Sequence, residues 1–158
     1  MAAGDKDGNT NMRISTKGRY GLQALLDLAL HSDGTQVPLL SIAQRQNIST
    51  NYLEQVFSLL RKAKLVNSVK GAQGGYILAD SPAHIKVGTI LRALEGDLKV
   101  VDDDVGRDFG DHENLEACIR TNVWDKINAG IDAVVDSITL EDLMDDYRGI
   151  NDAPMFYI

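Results

Sequence analysis

Apolar residues recur at three- and four-residue steps along most of this chain and shift to a β-like pattern in one short stretch. Leu22, Leu25, Leu26, Ala29 and Leu30 fall at i, i+3, i+4, i+7 and i+8, the stripe of an amphipathic helix. Ser15 or Thr16 can cap its start, and Asp33-Gly34 ends it. Val37-Pro38 is extended and able to add an edge strand. Leu39, Leu40, Ile42 and Ala43 face a core, with a short helix over 41–46. Asn47-Ile48-Ser49 reads as a turn ending in a cap. A second helix over 50–62 buries Leu53, Val56, Phe57 and Leu60. Residues 66–69 and 76–78 are strand-like, and Lys70-Gly71-Ala72-Gln73-Gly74-Gly75 joins them.

Ser81-Pro82-Ala83 is a turn, and Val87, Ile90, Leu91 and Leu94 make a helix that Gly96 ends. Residues 102–113 are acidic and lack periodicity, which predicts a loop. A long helix over 115–137 follows. Its apolar positions are Leu115, Ile119, Val123, Ile127, Ile131, Val134 and Val135, with Ile138 beyond. That stripe is long for one small domain, so it is expected to pair with a second chain through Ile119, Val123, Ile127, Ile131, Val134 and Val135. Thr139-Leu140-Glu141-Asp142 is a capping signature for a last helix to about Tyr147. The end, Met155-Phe156-Tyr157-Ile158, is apolar and suits docking, on its own dimer or on a partner.

Helix, turn, helix and basic-tipped hairpin together predict a mainly α fold with a small β-hairpin wing. This is a winged helix-turn-helix followed by a long C-terminal dimerisation helix. Its expected parts are a disordered or tag-like extension (1–11), the winged helix-turn-helix (12–96), the acidic loop (97–114), and the dimerisation helix with tail (115–158). The single cysteine, Cys118, rules out an internal disulfide and suits a reducing cytoplasm. No apolar run is long enough for a membrane helix.

Net charge is −7, which at first argues against nucleic acid. The distribution reverses that reading. Residues 12–95 hold ten Lys/Arg against five Asp/Glu, while residues 96–158 hold five against sixteen. A basic front and an acidic back fit a DNA-binding domain with a non-binding arm. Asn51, Glu54, Gln55 and Ser58 lie on the polar face of the second helix. Asn and Gln can pair with adenine, and Glu can accept from the cytosine amino group. The tip residues Lys70, Gly71, Gln73 and Gly74 can approach a narrow groove with a cation leading. Arg13, Lys17 and Arg19 crowd the start of the first helix, where cations oppose the helix dipole, a mild cost that favours phosphate contact. His31, His84 and His112 form no triad or metal spacing, so the chain does not read as an enzyme.

The opening Met12-Arg13-Ile14-Ser15-Thr16-Lys17-Gly18-Arg19-Tyr20-Gly21 resembles that of the bacterial Rrf-two (IscR/NsrR/CymR) family of repressors. Ser49-Thr50-Asn51-Tyr52-Leu53-Glu54-Gln55 and Gly71-Ala72-Gln73-Gly74-Gly75-Tyr76 resemble its recognition-helix and wing signatures. The resemblance implies a dimeric DNA-binding transcription regulator, with base reading on Asn51 and Glu54 and a wing contact on Lys70. Iron-sulfur members carry three cysteines between the short and long helices; residues 98–114 here contain none. A cluster needs several thiolates, so no cofactor is expected, and Cys118 reads as a helix-face packing residue. The acidic capping helix and the terminal Met-Phe-Tyr-Ile are similar to the branch that represses cysteine metabolism. That similarity implies cysteine synthase (O-acetylserine thiol-lyase) as corepressor, engaged through Met155, Phe156, Tyr157 and Ile158. A redox or stress regulator using Cys118, and a winged helix used only for protein contact, stay as alternatives.

Overall fold

The computed structural model describes residues 13–101 and 113–152. Its helices are α1 (Thr16–His31), α2 (Leu39–Gln46), α3 (Thr50–Lys62), α4 (Val87–Glu95), α5 (Glu113–Ile119), α6 (Asp125–Ser137) and α7 (Leu140–Asp152). Strands β1 (Val66–Val69) and β2 (Gly75–Leu78) form an antiparallel hairpin in the register Val66↔Leu78 to Val69↔Gly75. Mainly helical with a β wing, the architecture is the one expected. The predicted edge strand is present as a single bridge, with Val37 and Tyr76 exchanging two 2.9 Å hydrogen bonds.

The core gathers Leu25 and Leu28 of α1, Ile42 of α2, Leu53, Val56, Phe57 and Leu60 of α3, and Ile90 and Leu94 of α4. On α1 the buried line is Ala24, Leu25, Leu28 and Ala29; Leu22, Leu26 and Leu30 of the expected stripe are only half-buried. The line turns because α4 crosses α1 closely: a Cβ at Gly21 would lie 2.3 Å from Leu94 Cδ1. That leaves Asp27 inside. Its carboxylate accepts from Arg45 Nε at 3.0 Å and Nη2 at 2.7 Å, and from Gln46 Nε2 at 2.7 Å. Gln23 Nε2 donates to Gln46 Oε1 at 2.7 Å, so four polar side chains lock α2 to α1. The hydrogen bond to Asp27 raises the Arg45 pKa above its ordinary value.

Two features of the C-terminal half differ from expectation. The long helix is interrupted by a π-helical turn, Arg120–Trp124, between α5 and α6. Four-residue steps drift around a regular helix, because four residues exceed a 3.6-residue turn; the wider turn brings Ile119, Val123 and Ile127 back toward one line. The helix ends at Ser137 as expected; Ile138 beyond it is extended, and its carbonyl accepts from Val87 N at 2.8 Å. The last helix runs past Gly149 to Asp152 rather than stopping near Tyr147. Its start is the predicted reciprocal cap: Asp142 N donates to Thr139 Oγ1 (3.1 Å), and Thr139 N to Asp142 Oδ2 (2.9 Å). Leu140 and Met144 then enter the winged-helix core.

Arg92 on α4 holds α6 in place. One nitrogen donates to Asp136 and the other to Asp132, one turn earlier, both at 2.8 Å. The hydrogen bond from Arg92 keeps the Asp136 carboxyl below the usual range. Gly88 leaves room for the pair, since a Cβ there would fall 2.0 Å from Asp136 Oδ1 and push that carboxylate aside.

Removing Arg45 strands a carboxylate with no access to water, which typically costs several kcal/mol. Arg45→Met keeps most of the side-chain stem and is expected to lower stability by about 3 kcal/mol in urea unfolding. A loss within the noise of that measurement contradicts a structural role for the pair.

Candidate nucleic-acid interface

The turn between α2 and α3 is set by Asn47, whose left-handed backbone (φ 53°) ends α2. Ser49 then caps α3, its hydroxyl accepting from Tyr52 N at 3.1 Å. The apolar face of α3 is committed to the core, so Asn51, Glu54 and Gln55 stand exposed, with Ser58 half-buried further along. Residues 51, 54, 55 and 58 share one face by helical spacing.

The wing is fixed to α3 by its own packing. The Tyr76 ring on β2 meets Phe57 of α3 with centroids 4.9 Å apart. The tip is tight: Gly74 N donates to Gly71 O at 3.0 Å, and Gly71 has φ 125°. A Cβ at Gly75 would lie 2.4 Å from Val37 O, so the edge bridge itself demands glycine. Gln36 Nε2 donates to the Gln73 carbonyl at 2.8 Å and steadies the tip from outside. Lys70, Gly71 and Gln73 are exposed, and Gly74 is half-covered.

At the start of α1, the Ser15 hydroxyl accepts weakly from Gly18 N at 3.5 Å. The main cap comes from elsewhere. Glu95, the last residue of α4, accepts from Ser15 N and Gly18 N at 2.9 Å each, and from the Ser15 hydroxyl. A Cβ at Gly18 would sit 2.3 Å from the Glu95 oxygen. This carboxylate offsets the dipole cost of Arg13, Lys17 and Arg19, all exposed around it. The cost therefore no longer argues by itself for phosphate contact. Tyr20 on α1 meets Tyr52 on α3 edge to face, centroids 6.1 Å apart, joining the two helix starts. Burial, first, raises the Tyr52 pKa above its ordinary value.

Charge on this side is unneutralised. Arg13, Lys17, Arg19, Arg61, Lys62, Lys64 and Lys70 are exposed and make no ion pair among the described residues. Arg45 and Arg92 are both taken up by aspartates, while Lys86, Lys126 and Arg148 are likewise exposed without an ion pair among the described residues. α1, α3 and the wing therefore bring together cations and neutral hydrogen-bonding groups, with Glu54 the one carboxylate on α3.

Ile119, Val123, Ile127 and Val134 are exposed, joined by Leu115 and Trp124; Ile131 and Val135 are half-buried. Cys118 is exposed and not packed within its own chain, contrary to the packing role expected of it. Asn122 Nδ2 on the π turn donates to the Cys118 carbonyl at 2.8 Å. Met155, Phe156, Tyr157 and Ile158 lie outside the described residues, as does most of the acidic loop. Sequence reasoning missed Asp27, Glu95 and Arg92. Asp27 had a signal, a charge set among Ala24, Leu25 and Leu28. Glu95 and Arg92 had none, because their partners are 77 and 44 residues away.

A family model described as Rrf2, iron-dependent transcriptional regulator, matches residues 14–146. The HTH-type transcriptional regulator CymR of Bacillus subtilis is 44% identical over 147 residues, covering 93% of this chain and all of the relative. IscR of Vibrio vulnificus is 42% identical over 135 residues, 85% of this chain and 79% of the relative. The structure of B. subtilis CymR, the global cysteine regulator, superposes with a TM-score of 0.70 over 84% of this chain and 96% of that one, at 41% identity. That of T. potens IscR gives 0.68 over 92% and 93%, at 44% identity. A thiolate-held iron-sulfur cluster does not fit the donors of this chain. One cysteine in the whole chain supplies too few thiolates for a cluster, and no group of three or more His, Cys, Asp or Glu suited to a metal occurs among the described residues. No described helix is long and apolar enough to cross a membrane. With a family match across most of its length and relatives above 40% identity, the chain belongs to the Rrf2 family of winged-helix transcriptional regulators.

Proposed function

We propose that this chain is a homodimeric repressor that holds operator DNA with two winged helices and acts on genes of cysteine and sulfur metabolism. The carrying observation is the set of unpaired cations on α1, α3 and the wing of a chain whose net charge is −7. In an acidic protein, cations left without carboxylates on one side mark where a polyanion is met. α3 enters the major groove with its N-terminal turn nearest the bases. Asn51, Glu54 and Gln55 read base edges there, and Ser58 lies further out. Lys70, Gly71, Gln73 and Gly74 enter the neighbouring groove, while Arg13, Lys17 and Arg19 meet phosphates. Bound dimers occlude the promoter.

The dimer forms through the exposed stripe of Ile119, Val123 and Ile127, continued by Val134 and flanked by Ile131 and Val135. Large apolar side chains in a row along one helix are costly to leave in water, and a second copy of the same stripe covers them under two-fold symmetry. Cysteine metabolism as target is supported by the likeness to a global cysteine regulator. Cysteine synthase as corepressor is supported by the apolar segment Met155-Phe156-Tyr157-Ile158, which suits docking on a protein partner.

Glu54 discriminates more than it attracts, since a carboxylate near DNA is repelled unless a base donor meets it. Glu54→Ala is expected to broaden the sequences recovered by selection from a random duplex library while weakening overall binding little. Uniform weakening with unchanged preference refutes that role. Deleting Ile158 is expected to abolish capture of cysteine synthase in a pull-down and leave DNA binding intact. Undiminished capture removes the tail from the account.

A further inference from the structure

Lys64 occupies a backbone conformation that side chains avoid. Its φ is +61°, in the left-handed region. It closes α3 in a Schellman-type turn: Leu65 N donates to Leu60 O at 3.0 Å, and Lys64 N to Arg61 O at 2.9 Å. Glycine is the usual residue at that position, because a Cβ there crowds the backbone. The turn cannot relax the strain by moving, since Leu65 and Val66 just beyond it are buried and Ala79 N donates to Leu65 O at 3.0 Å. Asn47, the other left-handed non-glycine among the described residues, is of a type that tolerates the conformation; lysine is not. Backbone strain held by surrounding structure points to a use for the side chain.

The place of the turn indicates the use. Lys64 is exposed at the corner where α3 ends and the wing begins, between the two elements assigned to DNA. α3 has 13 residues, a length of about 20 Å. With its first turn nearest the base edges, a helix of this length carries its C-terminal end away from them. Its last turn stands at the phosphate rim. Arg61 and Lys62 are there too, but cations at a helix C-terminus are favoured by the dipole wherever they point. Lys64 lies beyond the helix, where glycine serves the turn better, and its ammonium has no carboxylate partner among the described residues.

We propose that Lys64 is a DNA-backbone contact, its ammonium meeting a phosphate where the recognition helix leaves the groove. The inference rests on the DNA-binding reading above and adds a contact to it. Stability and binding then pull in opposite directions at this residue. The test compares the full-length wild type with Lys64→Gly, Lys64→Asn and Lys64→Arg. Probes are a duplex selected by the wild type from a random library and a mixed-sequence duplex. Lys64→Gly and Lys64→Asn are expected to melt no lower than wild type. Both should bind each duplex on the order of tenfold more weakly at about 50 mM salt, with the deficit narrowing toward 200 mM. Their log affinity against log salt should be shallower by about 1.8, one phosphate from each protomer. Lys64→Arg should bind as wild type does. Wild-type affinity and slope in Lys64→Gly overturn the inference and leave the DNA reading standing. Weaker binding with an unchanged slope also overturns it, because the loss is then structural. A wild type with no salt-dependent binding to either duplex removes the DNA reading, and this inference with it.

Discussion

A carboxylate with no access to water sits at the joint between the first two helices, and the reading head is set by how it is satisfied. Asp27 is buried by the crossing of α1 with its neighbours. An unpaired buried charge is too costly to keep, so α2 must deliver Arg45 and Gln46 to it. That fixes the second helix on the first. Asn47 and Ser49 then leave α3 one direction to take, and Tyr76 against Phe57 sets the wing on α3. The exposed polar face of α3 is thus positioned by contacts made by its buried face and by the helices before it.

A second constraint ties that head to the rest of the chain. Arg92 spans Asp132 and Asp136, so the angle between α4 and α6 is held by directional bonds and not by apolar contact alone. Glu95, one turn later on α4, reaches the start of α1. One short helix thus holds the long C-terminal helix with one residue and the cationic edge of α1 with another. The exposed stripe on α6 is therefore tied through α4 to the domain that carries α3.

Much of this was legible in the sequence, for a physical reason. Leu53, Val56, Phe57 and Leu60 repeat with helical period, the glycine-rich tip punctuates two strand-like runs, and Thr139 with Asp142 writes a cap in four residues. Each of these signals is local. The illegible parts are pairings between residues far apart, Asp27 with Arg45 and Glu95 with Gly18, or depend on local winding. The π turn at Arg120–Trp124 is of the second kind: its apolar steps of four looked like one continuous helix. Lys64 was counted only as one more cation, because a left-handed backbone at lysine leaves no mark in the pattern. The exposed residues of α3 and the wing were readable as polar positions left over once the core was assigned.

On the proposed function, two reading heads held at a fixed separation by a symmetric pair of long helices leave a matching imprint on DNA. Hydroxyl-radical footprinting on a selected operator tests this most directly. The account predicts two equivalent protected patches on one face of the duplex, related by a dyad and centred about 34 Å apart or a multiple of it. A single unsymmetrical patch, or protection without a dyad, contradicts it.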